Sequence, residues 1–277
     1  MHVSSLGQPP AATAPSTRRP GAGDRSLAPR EHGAYGQLGL PLVTALCMGR
    51  PGASAVLLAV ASLAGFLAHE PLLLVTGQRG SRAAREVGAR AYRRLAWLGA
   101  IMAIAGGLGF LLAPPAARLA VILPLGLAAL LTPFILRKQE KTAAGELIAA
   151  AALSSAAVPI AFAAEVPAAL VWSAWLSWCL VLGASTLAVR SVIAHARAPL
   201  ALGRRLVLPI LALVAGAAVA ASGWLTPPAA LGALPMLGLA LGLAAQPPSP
   251  RSLKKVGWGL VASSVLLGAA LVVGAHV

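Results

Sequence analysis

The stretch ARAYRRLAWLGAIMAIAGGLGFLLAPPAARLAVILPLGLAALLTPFILRKQEK, residues 89–141, decides the fold. No charged residue lies between Arg94 and Arg118, or between Arg118 and Arg137. Each gap holds a helix of ~20 residues, which at a rise of about 1.5 Å per residue crosses the hydrocarbon core of a bilayer. Both runs are apolar all round, without the period-two alternation of a barrel strand. Lipid leaves backbone groups nothing to bond with outside their own segment, a demand that a helix meets. Basic clusters flank the pair, and only Arg118 lies between.

The same pattern extends in both directions. Uncharged runs lie between His32 and Arg50, from Pro51 to Val75 (broken by His69 and Glu70), and from Leu147 to Ala164. Others cover Val166 to Val189 and Val256 to Ala275, and Leu206 to Ala245 is split by Thr226-Pro227-Pro228, because adjacent prolines break a helix. With Leu95–Ala113 and Leu119–Leu136 the expectation is nine transmembrane helices, an all-α polytopic membrane protein. The whole chain agrees. Of 277 residues 58% are hydrophobic and 10% charged, too few polar groups to coat a soluble surface of this size.

The charge distribution orients the bundle. The chain holds 22 Lys and Arg against 7 Asp and Glu. Four of the basic residues lie before His32, six between the second and third runs, three before the fifth, four before the seventh and three before the ninth. Those twenty fall on one side, against Arg50 and Arg118 on the other. Cytoplasmic loops carry such an excess, so the N-terminus is expected inside, in a bacterial inner membrane. The positive charge is thereby accounted for without nucleic acid, and membrane lipids are the expected partners. Residues 1–30, rich in Pro, Ala, Ser and Arg, read as a disordered cytoplasmic arm lacking the apolar core of a signal peptide. Residues 31–277 form the membrane domain. Cys47 and Cys179 lie inside apolar runs and read as small buried hydrophobes. On the third run Gly99, Gly106, Gly107 and Gly109 offer small positions for close packing, without a GxxxG motif.

Polar groups inside spans are costly and mark candidate sites. His69-Glu70-Pro71 lies near the cytoplasmic end of the second run, followed by Leu72-Leu73-Leu74-Val75. Pro71 has no N–H for the carbonyl of Leu67, so a bend is expected there. Glu70 is the first choice for a base or metal ligand and His69 for a proton shuttle. The plainer alternative, about equally weighted, is a carboxylate paired with an arginine to hold two helices together. Glu31 and His32 enter the first run beside Tyr35, where capping and an aromatic belt residue would suffice. Glu146 opens the fifth run, where a carboxylate complements the helix dipole. Arg79 and Arg82 leave the second run and Arg190 leaves the sixth. Most basic loop residues only mark topology, but these three are placed to hold an anionic headgroup or diphosphate. His32, His69 and His195 lack the spacing of a metal or haem motif, and no phosphate loop, zinc motif or catalytic triad is present.

REHGAYGQLGLP at Arg30–Pro41, FLAHEPLLLVTGQRGSR at Phe66–Arg82 and RKQEKTAAGELIAAAALSSAAVP at Arg137–Pro159 resemble the YwiC-like family of bacterial membrane proteins, over roughly Arg30–Arg205. That resemblance carries no established activity. More distantly the chain is similar to the UbiA-type prenyltransferases, nine-helix proteins with the N-terminus inside. Their aspartate-rich motifs lie at the cytoplasmic ends of helices two and six, where this chain has His69-Glu70 through Arg82 and Arg190 through Arg205. Gly145-Glu146 also looks like that family. The resemblance implies a UbiA-like bundle, with helices one to four and five to eight as a tandem repeat and helix nine appended. In that family the aspartates bind magnesium bridging to a prenyl diphosphate. Here the one aspartate is Asp24, so magnesium is without its motif and the metal and cofactor are left open. The expected function is a diverged prenyltransferase-like enzyme acting on an anionic or isoprenoid lipid. The alternatives are a non-catalytic lipid- or haem-binding factor, and a transporter, disfavoured by the few polar groups at mid-membrane.

Overall fold

Proline and glycine set the helix boundaries. In the computed structural model, residues 32–78, 80–198, 201–249 and 252–277 are described, and they hold eleven α-helices and no strand. The helices are α1 (His32–Met48), α2 (Ala53–Val75), α3 (Ser81–Leu112), α4 (Pro115–Ala120), α5 (Ile122–Leu136), α6 (Ala143–Ser155), α7 (Ala157–Ala163), α8 (Ala168–Arg197), α9 (Leu202–Ala221), α10 (Pro227–Ala245) and α11 (Leu253–His276). Gly49-Arg50-Pro51-Gly52 stops α1, Pro114 stops α3, and Pro227 opens α10, where its missing N–H is one that no helical carbonyl needs. Val121 and Ala156 keep right-handed helical backbone angles, so α4 with α5, and α6 with α7, each read as one span.

Eight helices among the described residues are long and apolar enough to cross a membrane, and the chain is a multi-pass membrane protein. The expected count of nine is not reached. The difference is α1, whose 17 residues give about 26 Å of helix. Among the boundaries, the start of the third run moves most. The third run extends as helix back to Ser81, well before Leu95, because the Ala- and Arg-rich segment ahead of it suits a helix. Through Pro71, α2 continues as helix to Val75.

Contacts between helix ends divide the bundle into two poles. At the basic pole the Tyr35 ring meets Phe66, joining the start of α1 to the end of α2. Arg190 at the end of α8 reaches Glu146 at the start of α6. Arg205 at the start of α9 reaches the carbonyl of Ala245 at the end of α10. At the opposite pole the Arg50 N–H donates to the Ala164 carbonyl, and Ser173 near the start of α8 meets Thr226 just before α10. There too His276 Nε2 donates to the Cys47 carbonyl at 3.0 Å, tying the last turn of α11 to the last turn of α1. These pairings fit helices that alternate in direction, as the charge count requires.

The core is built around α8, which packs against α6, α7, α9, α10, α11 and α1. Its Trp178, Val181, Ala188 and Val192 are almost wholly buried. Small residues let the helices close up, as expected in lipid, where packing supplies much of the drive for association. On α3, a Cβ at Gly109 would lie 3.1 Å from Leu57 and Leu58 of α2, and one at Gly106 3.4 Å from Ala61, while Gly99 and Gly107 face open space. Small positions were thus the right signal, with half of them at the interface. The cysteines do not both follow expectation: Cys179 is half-buried, but Cys47 is exposed, because it faces outward on the last turn of α1.

Candidate functional site

Glu70 sits on α2 at 4% exposure, the one carboxylate among the buried described residues. Leaving a carboxylate in such a place is costly unless it is engaged. It does have an interaction within the chain, as does His69. The neighbouring His69 is exposed, since successive helix residues point about 100° apart. The two side chains therefore meet different surroundings, and an acid–base pair made of both needs a substrate that reaches around the helix.

The Tyr35–Phe66 contact joins the start of α1 to α2 one turn before Glu70. The rings meet edge to face, 5.0 Å between centroids, at the basic pole. Glu70 lies one turn beyond Phe66 on α2, and His32 one turn before Tyr35 on α1. The backbone thus brings the two polar groups of the sequence analysis to neighbouring helix ends. Glu31 and Arg79 lie outside the described residues. His32 and Arg82 are placed only by backbone, in the first turns of α1 and α3.

Glu146 and Arg190 come together 44 residues apart. Arg190 Nη1 lies 2.8 Å from Glu146 Oε2 and donates also to the Lys141 carbonyl at 2.9 Å. Local chemistry positions the carboxylate. The Thr142 hydroxyl accepts from the Gly145 N–H at 3.1 Å, capping α6, and itself donates to the Gln139 carbonyl at 2.8 Å. A Cβ at position 145 would fall 2.7 Å from that same carbonyl, so glycine is required there by close approach. This carboxylate makes an interhelical ion pair that joins α6 to α8, with about a third of each side chain exposed.

Magnesium, implied by the distant UbiA likeness, does not fit the described residues. None of them form a group of three His, Cys, Asp or Glu able to hold a metal. Glu146 is occupied by Arg190, and Glu70 lies on another helix.

One feature escaped the sequence reading. A narrow cavity of about 10 Å³, room for about one water, lies between α1, α7 and α8, lined by Thr44, Trp175 and Trp178 among apolar residues. The indole N–H groups of both tryptophans have no hydrogen-bond partner among the described residues. The available signal was the spacing Trp172, Trp175, Trp178, three apart on one helix face, continuing through edge-to-face contacts to Phe162.

Comparison with known proteins places part of the chain. Residues 28–161 match the model of the YwiC-like protein family. The matched segment contains Glu31, His32, His69, Glu70, Arg79, Arg82 and Glu146; Arg190 and the tryptophan cavity's α8 wall lie beyond it. No curated protein and no solved structure matches the chain.

Proposed function

We propose that this chain, whose residues 28–161 match the YwiC-like protein family, is a lipid-handling protein of the bacterial inner membrane. Its polar site opens to the cytoplasm at the ends of α1, α2, α6 and α8. In this reading α1 is a ninth, short span and the N-terminus is inside, as the twenty-to-two charge split favours. The bundle is UbiA-like and its ligand an anionic or isoprenoid lipid. The observation that carries the reading is Glu70: a carboxylate at 4% exposure, one turn beyond the aromatic contact joining α1 and α2. Glu70 acts as base or polar anchor and His69 assists from the neighbouring face. Glu31, His32, Arg79 and Arg82 complete the rim, and Glu146 with Arg190 fixes the α6–α8 side. A non-catalytic lipid-binding role is the second reading, favoured by the ion pair that already neutralises Glu146.

The test is native mass spectrometry of protein purified gently from its own membrane, wild type against Glu70→Gln. A co-purifying prenyl or quinone-like lipid, present in the wild type and lost from a folded variant, supports the site. Only bulk phospholipid, equal in both, overturns it and leaves Glu70 a structural partner.

A further inference from the structure

The helix α3 stands apart from the site just described. Only 11% of its most apolar stretch is buried, so most of its surface faces the surroundings. At its basic pole Arg90, Arg93, Arg94, Trp97 and Leu98 line an open concavity of about 420 Å³. Arg90 and Arg93 are exposed and Arg94 is half-buried. Arg90 is engaged elsewhere within the chain, and Glu86 lies one turn before it, so Arg93 and Arg94 carry the argument. Among the described residues no carboxylate lines the concavity.

Below the guanidinium groups an apolar track continues on the same face. Trp97, Ile101, Ile104 and Leu108 are 68%, 42%, 64% and 49% exposed. With Arg90 and Arg94 they recur at alternating intervals of four and three residues, the spacing of one helix stripe. The stripe is cationic where the apolar span begins, aromatic one turn in, and aliphatic for three turns beyond. That order mirrors a phospholipid: phosphate, glycerol region, acyl chain. Arginine matches phosphate oxygens with a planar fork of donors, and tryptophan favours the membrane interface.

We propose that this stripe of α3 binds an anionic phospholipid from the leaflet at the basic pole. The phosphate is held by Arg93 and Arg94 and an acyl chain lies along Trp97, Ile101, Ile104 and Leu108. Free phosphate would leave the apolar track without purpose. A parallel second copy of the chain on this stripe would set Arg94 against its own counterpart, so charge selects the lipid. This site is independent of Glu70.

The probe is native mass spectrometry of detergent-purified full-length protein titrated with phosphatidylglycerol or phosphatidylcholine of the same chain length. Wild type is expected to bind phosphatidylglycerol more tightly. At about 1 kcal/mol for each basic residue near an anionic surface, Arg93→Gln with Arg94→Gln should weaken that binding about 30-fold and leave phosphatidylcholine unchanged. Arg137→Gln with Lys138→Gln, in the α5–α6 loop, should change little. A Trp97→Phe variant should lose the part of the tryptophan emission that brominated phosphatidylglycerol quenches. Equal binding of both lipids to wild type overturns the proposal, as does undiminished selectivity in a folded Arg93/Arg94 variant. Efficient disulfide cross-linking through Ile104→Cys in a Cys47→Ser background also overturns it, in favour of a second copy.

Discussion

Trp178 is the sharpest contradiction at the residue scale. It is 1% exposed, yet its indole N–H has no partner among the described residues. A buried donor left unsatisfied costs about 1–3 kcal/mol. Trp178→Phe removes the donor but leaves a small void worth about 1 kcal/mol. The two effects nearly cancel, so the variant should unfold within about 1 kcal/mol of wild type. Trp178→Ala should lose about 3–5 kcal/mol, as for other large core truncations. Thermal unfolding in one detergent measures both. A loss beyond about 2 kcal/mol in Trp178→Phe would instead reveal a water bridging the N–H to Thr44. The sequence made Glu70 visible because charge inside an apolar run is rare, and Glu146 and Arg190 by their places at the edges of runs. It did not reveal that Glu146 meets Arg190, since that pairing depends on how α6 and α8 pack. The tryptophans stayed hidden because apolar surroundings are where tryptophan is ordinary.

Hydropathy located the helices well at the scale of elements, since each run between charges became a helix or a pair of helices in line. It misjudged the start of α3, where arginine is both a loop-like charge and a good helix former. The opposite end of α3 makes a testable case. Arg118, one of two basic residues on the sparse pole, turns back on that helix end. Its Nε donates to the carbonyls of Ala113 (2.8 Å) and Phe110 (3.1 Å), and its Nη2 to Leu111 (2.7 Å). Its guanidinium carbon also lies 6.0 Å from the centre of the Phe110 ring. The last carbonyls of a helix lack internal partners, and a cation there also complements the dipole. Arg118→Gln should cost about 1–3 kcal/mol through three lost charge-assisted bonds. Hydrogen exchange should quicken at residues 110–118 and remain unchanged at α6.

The arrangement of poles is a property of the whole molecule, and it is what the charge count addresses. In a Cys47→Ser, Cys179→Ser background, Gln139→Cys lies in the exposed loop at the basic pole and Ser222→Cys in the exposed loop at the other. A membrane-impermeant maleimide should label Ser222→Cys in intact cells from which any outer membrane has been made permeable. It should label Gln139→Cys only in inverted vesicles. The reverse result would overturn the charge-based orientation. How many spans the molecule has is less legible in the sequence than where its charges lie. The charge pattern survives small errors of length, whereas the 17 residues of α1 lie at the short end of what crosses a bilayer.

The bond between His276 and the Cys47 carbonyl joins positions 229 residues apart. Ribosomes deliver helices in order, so α1 is made long before α11 exists. Its principal neighbours, α6, α7 and α11, all follow later. During synthesis α1 must therefore wait, its inward face covered by lipid or by the insertion machinery. The clasp closes only when α11 arrives. Cells short of insertion factors should lose this protein first through cleavage near α1, long before its finished form becomes fragile.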